Sequence, residues 1–478
     1  MRNILFIHPS RRVLGKKDNL FTNESLVPSL GLASISAYCR KYGIKSKVID
    51  LRLPHCTSKD VLDYISDNKP LLVGITAFTT EVTAGNEIAR LIKEFFPQLP
   101  IVVGGPHPSI IPRETLSEFT NFDIAVIGEG EKTLIDLIQI FENKEMNRID
   151  YIRGIAFRRQ GEIIVNPPPE PMEDINSLPF PAWDYFELEY YHRIFPVSTS
   201  RGCPYSCYFC SPKYLGDRVR VRNYQNIVEE IKWLVDRFGA KRLQFADATL
   251  GLLKEGAIMM CEEIIRKGLN KKIKWDCETR ADSVNLELLR RMKEAGCEWI
   301  AFGVETGSER ILKEVVKKGE TKEEIRHAVR LAKKVGLKVR CFFIIGHYTE
   351  TVDTIKETID FALELNPDAL SFGLMVPNPG SQIRKLAEEG KNGLRILHNR
   401  WEDYQQFNYD CFELENLPLR ELKRWQAQAY FTFYLHHPIK GLELFFNRSS
   451  YNYRLSGLIT LPWRLLRNRY LEHINIKA

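Results

Sequence analysis

Cys203-Pro-Tyr-Ser-Cys207-Tyr-Phe-Cys210 sets three thiols in one short run with the spacing C-x3-C-x2-C. A structural zinc ion takes four closed ligands, usually as two C-x2-C pairs, and no second pair of that kind follows. An iron–sulfur cubane also takes four ligands, normally all cysteine. Three close cysteines without a fourth therefore point to a 4Fe–4S cluster with one iron left open to a small molecule. Cys39, Cys56, Cys261, Cys277, Cys297, Cys341 and Cys411 are scattered, at neither disulfide-framework nor metal spacing. Most sit in apolar runs, where a free thiol behaves as a small hydrophobe.

The elements that must carry this loop fall into blocks. The chain has 478 residues, too many for one ordinary core, so two or three domains are expected. At 44% hydrophobic and 27% charged residues the composition is globular, neither disordered nor fibrous. In residues 1–145, short β-rich runs (Ile4–Ile7, Ser46–Asp50, Leu71–Thr76, Ile101–Gly104, Ile124–Ile127) alternate with helical patterns. That alternation predicts a doubly wound parallel sheet covered on both faces. Ligands of such sheets sit outside the carboxyl ends of the strands, where this chain has Thr76, Gly104-Gly105-Pro-His-Pro and Gly128-Glu129-Gly130-Glu131.

Residues 146–194 read as a linker. It contains one short strand at Tyr151–Phe157 and a stiff Asn166-Pro-Pro-Pro-Glu-Pro stretch that excludes a helix. Residues 195–385 then show six β-rich runs separated by amphipathic helices, which fits a partial (β/α)6 barrel. Barrels of this type place chemistry at the C-terminal strand ends. There lie the cysteine loop, Asp247, Glu278 and Arg280, Glu305, and Gly346-His347-Tyr348-Thr-Glu-Thr.

Ser200-Arg-Gly-Cys203 through Cys207-Tyr-Phe-Cys210-Ser-Pro resembles the signature of radical S-adenosylmethionine enzymes. The order Leu30-Gly-Leu-Ala33, Val48-Ile-Asp50, Gly104-Gly-Pro-His-Pro108, Gly128-Glu-Gly-Glu131 resembles the cobalamin-binding domain fused to many of them. The resemblance implies that the open iron chelates S-adenosylmethionine and that Cys203, Cys207 and Cys210 hold the cluster. It implies that Phe209 meets the adenine, largely through backbone, and that Glu278, Arg280 and Glu305 contact S-adenosylmethionine. A planar arginine suits the carboxylate end, and a rim salt bridge from Arg280 to Asp247 or Glu305 is the alternative. Thr76, Gly104, Gly105, Gly128, Glu129 and Gly130 would line the cobalamin site. Cobalamin domains of the methionine-synthase kind carry D-x-H-x-x-G with a cobalt-ligating histidine; here Asp50-Leu-Arg52-Leu-Pro-His55 puts arginine at that position. Cobalamin with no histidine beneath it is the expectation, with His55 solvated. The family usually reads Gly-Leu-Pro-Gly-Glu-Thr at the fifth strand. Here His347 and Tyr348 replace Leu-Pro, which predicts an imidazole and a phenol near the active-site mouth for substrate binding or proton transfer.

The family chemistry implied is hydrogen abstraction by a 5′-deoxyadenosyl radical followed by methyl transfer from cobalamin to an unactivated carbon. The expected substrate is a small hydrophobic metabolite (lipid, terpenoid or tetrapyrrole), with a reduced flavodoxin- or ferredoxin-type electron donor. The alternatives are radical cyclisation without methyl transfer and, from another class, a cobalamin-binding sensor with a silent barrel. The complete cysteine trio argues against the sensor.

Residues 386–478 read as helical, aromatic and basic. From His436 onward seven Lys or Arg face two Glu, which accounts for five of the seven net positive charges. The remaining body is near neutral, which argues against nucleic acid as a partner. Phe445, Phe446, Trp463, Leu465 and Leu466 interleave with Arg464, Arg467 and Arg469, a pattern suited to peripheral membrane contact or a lid over a greasy substrate. No run of 18 apolar residues and no signal-peptide pattern occurs, so a reducing cytoplasm is expected, possible membrane association included.

Overall fold

The computed structural model describes residues 3–441, apart from 16–25, 192, 212, 213, 215, 217, 408 and 409. Its first sheet starts from β1 (Asn3–His8), whose Ile4, Leu5 and Ile7 are wholly buried, as expected of a strand covered on both faces. β2 (Lys45–Asp50), β3 (Val73–Thr76), β4 (Ile101–Gly104) and β5 (Ile124–Val126) join it in the parallel order β2-β1-β3-β4-β5. Because both β2 and β3 pair with β1, the connections leave in opposite directions there, and a crevice opens at the carboxyl ends. Covering helices are α1 (Leu30–Lys41), α2 (Ser58–Asn68), α3 (Val82–Phe95), α4 (Pro106–Ile110), α5 (Pro112–Glu118) and α6 (Gly130–Asn143). Ser29 caps α1 by accepting the Leu32 N–H, and a Thr57–Asp60 capping box starts α2.

The sheet does not stop at residue 145. β6 (Ile155–Arg159) pairs antiparallel with β5, and β7 (Glu162–Val165) pairs with β6, making a mixed seven-stranded sheet. Sequence patterning sets this hairpin in a linker because it breaks the strand–helix alternation; its buried Ile155, Ala156 and Phe157 instead complete the core at the β5 edge. The rest of the bridge is packed. Ala182 N–H donates to Ala33 O at 2.9 Å, and the fully buried Trp183 lies edge-on to Phe195, ring centroids 5.8 Å apart.

Phe195 belongs to β8 (Ile194–Val197), the first strand of the second sheet. A small antiparallel pair, β9 (Ser200–Arg201) with β10 (Arg220–Val221), brackets the cysteine loop. β11 (Arg242–Phe245), β12 (Lys274–Thr279), β13 (Cys297–Glu305), β14 (Lys338–Ile345) and β15 (Ala369–Leu374) follow β8 in sequential, all-parallel order. Helices α7 (Tyr224–Phe238), α8 (Lys254–Arg266), α9 (Leu286–Glu294), α10 (Lys322–Lys334) and α11 (Val352–Leu365) alternate with these strands, and the helix after β15 completes the six β-α units expected.

Downstream lie α12 (Gln382–Glu388), the hairpin β16 (Leu394–Ile396) with β17 (Phe412–Leu414), and α13 (Leu419–His436), so this region is not purely helical. α13 covers the outer edge of β15: Phe372 N–H donates to the Tyr430 hydroxyl at 2.8 Å, and Phe372 O accepts from Gln426 Nε2 at 2.7 Å. Those bonds satisfy main-chain groups that an open sheet would leave at its edge. The segment between the hairpin strands reaches the first domain, where Trp401 Nε1 donates to Glu118 at 2.8 Å. Among the described residues no helix is long and apolar enough to cross a membrane. Phe445, Phe446, Trp463, Arg464, Leu465, Leu466, Arg467 and Arg469 lie outside the described residues.

Candidate active site

The cysteine loop leaves β8 through a turn fastened by Asp247 at the end of β11. Asp247 is buried and accepts from Thr199 N–H (3.0 Å), Thr199 Oγ1 (2.9 Å) and Ser200 Oγ (2.6 Å). Burial alone pushes this carboxyl up, and the hydrogen bonds oppose it. Gly202 has φ +92°, and a Cβ there would lie 2.5 Å from the Arg218 carbonyl oxygen, so only glycine lets the chain enter the loop this way. Cys203 is buried, Cys207 half-buried and Cys210 exposed. Among the described residues, three metal-ligating side chains converge within 4.8 Å only at His55–Cys56–Glu187 and His398–Asp403–Asp410. The Cys203–Cys207–Cys210 thiols are spread more widely than that, which suits a polynuclear cluster better than one tetrahedral ion. Burial pushes the Cys207 thiol up, while Lys318 and Arg280 pull it down; bound metal would hold such a thiol deprotonated.

Around the loop stands a rim of charge. Arg280 binds Asp282 through two hydrogen bonds (2.9 and 2.5 Å), donates to Lys318 O at 2.7 Å, and lies flat over Tyr205, 3.7 Å from the ring centroid. Its partner is thus Asp282, two residues on, and neither Asp247 nor Glu305. Its buried Nη1 has no protein partner. Glu305 meets Lys318 at 3.2 Å, and Lys318 meets Glu320 at 2.9 Å. Glu278 opens into the cavity described below, and Phe209 packs edge-on against Tyr208.

His347 and Tyr348 do not stand at the mouth. Neither lines the cavity, and His347 is fully buried, with Nδ1 2.8 Å from the Tyr208 hydroxyl and Nε2 3.3 Å from Glu305 O. Burial pushes its pKa down to about 4 despite the backbone bonds, so the imidazole is neutral near pH 7. The glycine turn at Gly346 (φ +98°) folds the side chain under the cysteine loop, a direction that strand patterning does not reveal.

The cavity holds about 620 Å³, within the roughly 300–1,000 Å³ of small-molecule sites. One wall comes from the first sheet: Thr76, Gly104, Gly105, Gly128, Glu129 and Gly130 all line it. The opposite wall comes from the second: Ser200, Arg201, Cys203, Asp247 and Glu278. Gly104 faces open space where a Cβ would intrude, and Phe78 keeps 52% of its surface exposed there. Among the described residues, none that lines the cavity is a histidine. Arg52 is held by Asp50 (2.6 Å), whose carboxylate also accepts from Tyr191 (2.8 Å), and His55 pairs with Glu187 at 2.8 Å outside the cavity.

Glu129 does more than line the wall. Its carboxylate binds Arg201 (2.9 Å), Arg220 (2.7 Å) and the Met172 N–H (2.8 Å), and Glu131 binds Arg201 at 2.6 Å. Sequence reasoning missed Arg201, Arg220 and Lys318, because their partners lie in other elements; a basic residue directly before the Gly-Cys entry was the one signal available.

The two halves match known families separately. Residues 17–138 match the B12 binding domain and residues 197–362 the radical SAM superfamily. An uncharacterized methyltransferase of Pyrococcus horikoshii is 31% identical over 424 residues, covering 87% of this chain and 90% of the relative. The chain belongs to the radical SAM superfamily, in the branch that carries a B12-binding domain. This radical SAM enzyme is also 27% identical over 455 residues to the anaerobic magnesium-protoporphyrin IX monomethyl ester cyclase of Cereibacter sphaeroides (92% of this chain, 72% of that one). Its fold is that of the radical S-adenosylmethionine methyltransferase TsrM from Kitasatospora setae, whose structure holds cobalamin and a 4Fe–4S cluster. The TM-score is 0.73 at 20% identity, over 90% of this chain and 91% of that one. The radical SAM residues present here fit the cofactors: three spaced thiols, an unpartnered buried guanidinium nitrogen beside them, and a glycine-floored cavity reaching Cys203.

Proposed function

We propose that this radical SAM enzyme methylates an unactivated carbon of a small hydrophobic metabolite, such as a lipid, terpenoid or tetrapyrrole. The observation that carries the reading is the single cavity bounded by Gly104, Gly105 and Gly128 on one side and Cys203 and Glu278 on the other. Its lining is largely apolar, with Phe6, Leu30, Ile75, Phe78, Val102 and Leu134, and Arg201 pairs there with Glu129 and Glu131, while Asp247 and Glu278 add carboxyls on the opposite wall. When bound, the cluster with S-adenosylmethionine supplies radical hydrogen abstraction, and the corrinoid supplies the methyl group.

The chain's own residues hold and orient. Cys203, Cys207 and Cys210 are the cluster ligands of this reading. Arg280, whose Nη1 has no protein partner, would hold the carboxylate of S-adenosylmethionine, with its guanidinium placed by Tyr205 and Asp282. Glu278 and Glu305 complete that contact set, and Phe209 serves the adenine through its backbone. The glycines at the first sheet's strand ends would admit the corrinoid, with Arg52 tied to Asp50. The Glu129 pairs with Arg201 and Arg220 hold the two walls of the cavity together.

The test is anaerobic reconstitution with iron, sulfide and cobalamin, desalting, and turnover with methyl-labelled S-adenosylmethionine and reduced flavodoxin against hydrophobic extracts. Corrinoid absorption retained over the cluster bands, with label appearing on a carbon of the substrate, is the expected result. A cluster without retained corrinoid defeats the methyl-transfer reading. Likeness to the cyclase supports a second reading, ring closure, which predicts 5′-deoxyadenosine release with product lacking the labelled methyl.

A further inference from the structure

His347 has no place in a cavity-facing acid–base role, yet it is wholly buried and fully engaged. Its two ring contacts to Tyr208 and Glu305 join segments far apart in sequence, and its main chain bonds locally to Glu350. The ring Nδ1 lies 2.8 Å from the hydroxyl of Tyr208, which sits between cluster ligands Cys207 and Cys210. The ring Nε2 lies 3.3 Å from the carbonyl of Glu305, at the end of β13. The main-chain N–H of His347 donates to the Glu350 carboxylate at 3.1 Å.

With Nε2–H donating to Glu305 O, a neutral ring leaves Nδ1 to accept the Tyr208 O–H. The Tyr208 oxygen then accepts the Tyr348 N–H at 3.4 Å, which closes the network on itself. Glu305 is one of few non-glycine residues with a left-handed backbone, φ +69°, and the carbonyl that this conformation turns inward is the one His347 holds. Leucine, usual at this place in the resembling family, offers neither bond.

We propose that His347 is a positioning residue that locks the cysteine loop to the Glu305 strand end. It thereby fixes the open side of the cluster relative to the S-adenosylmethionine contacts. The inference rests on reading residues 203–210 as the cluster loop. Tyr208 carries the lock on the loop side. Two further bonds, Ile383 N–H to Tyr208 O (3.1 Å) and Ser211 Oγ to Pro379 O (2.6 Å), hold the loop's far flank and keep it folded when the lock is removed.

The experiment compares reconstituted wild type with His347→Leu, His347→Asn, Tyr208→Phe and the double variant His347→Leu/Tyr208→Phe. Iron content, the EPR spectrum of the reduced cluster with and without S-adenosylmethionine, and KM against kcat are read for each. All variants are expected to load iron as wild type does. His347→Leu and Tyr208→Phe are expected to lose most of the EPR change on adding S-adenosylmethionine and to raise its KM about tenfold, with kcat changed less. The double variant is expected to match the singles because both break one link. His347→Asn, which keeps an acceptor for Tyr208, is expected to restore part of the EPR change. Wild-type EPR response and KM in His347→Leu or in Tyr208→Phe overturn the proposal, as do additive effects in the double variant. If His347→Leu does not fold, Tyr208→Phe, which removes one oxygen, decides alone. Wild type that binds no cluster instead refutes the reading of the loop.

Discussion

Arg201 and Glu129 meet at 2.9 Å across the gap between the two sheets, and the same carboxylate binds Arg220 on the neighbouring strand. Arg201 is two residues before Cys203, and Glu129 begins the turn into α6, so one carboxylate ties the entry of the cysteine loop to the strand-end loops of the B12-binding domain. Registry between the two cofactor sites is therefore set by a buried ion cluster rather than by a flexible tether.

Removing this carboxylate takes one of two carboxylate partners from Arg201, which keeps Glu131, and loosens the hold on Arg220. Glu129→Gln is expected to destabilise the protein by about 3 kcal/mol, the cost of breaking a buried pair, and to reduce cobalamin retention more than iron loading. Burial pushes the Glu129 carboxyl up, but bonds from Arg220, Met172 N–H and Arg201 outweigh it and hold the pKa below 4.5. For an acid so depressed, the stabilisation is complete above pH 4.5 and is lost as pH falls through the lowered value. Urea midpoints of wild type and variant should differ near pH 7 and converge as pH falls through the lowered Glu129 value.

Glu350 predicts the opposite slope. It is wholly buried, accepts N–H bonds from Gly346 and His347, and leaves Oε1 without a protein partner. Burial raises its pKa to about 8 against the two backbone bonds. A carboxyl raised in the folded state stabilises below its unfolded value of 4.5, and that contribution drains away as pH rises toward 8. Glu350→Gln, which cannot ionise, should flatten the fall in melting temperature across that window. An unchanged pH profile would refute the assignment.

Adjacent glycines should separate fold from cofactor. A Cβ added at Gly104 would meet nothing within 4 Å, whereas at Gly105 (φ +108°) it would lie 2.9 Å from Ala77 O. Gly105→Ala is expected to cost about 1–3 kcal/mol of stability. Gly104→Val should fold normally and lose corrinoid on desalting, since its side chain enters the cavity. Thermal melts of the apo-proteins and absorption spectra after reconstitution check both.

Arg280→Lys keeps the charge and loses the planar stack on Tyr205 and the fork on Asp282. Affinity for S-adenosylmethionine is expected to fall about tenfold, or about 1.4 kcal/mol, with iron content unchanged. Equilibrium binding to the reconstituted protein measures it; wild-type affinity would remove Arg280 from the contact set.

Much of this is written locally in the chain. The spacing of Cys203, Cys207 and Cys210 specifies the cluster loop because ligands within one turn need no distant partner. Gly105 and Gly128 mark strand ends because their left-handed backbone disfavours other residues, and apolar periodicity places the parallel strands of both sheets. These features depend on neighbours in sequence, and so they are legible there.

Tertiary structure decided what side chains far apart do to one another. Glu129 reads in sequence as a cofactor contact and also binds Arg201 and Arg220; His347 reads as a rim acid–base and lies buried between Tyr208 and Glu305. The hairpin β6–β7 reads as linker and completes the first sheet. Each outcome turns on which way a side chain or strand edge faces and what charge or hydrogen-bond partner waits there. Period and spacing carry no record of that, because burial and pairing energies are set by contacts that only the folded chain brings together.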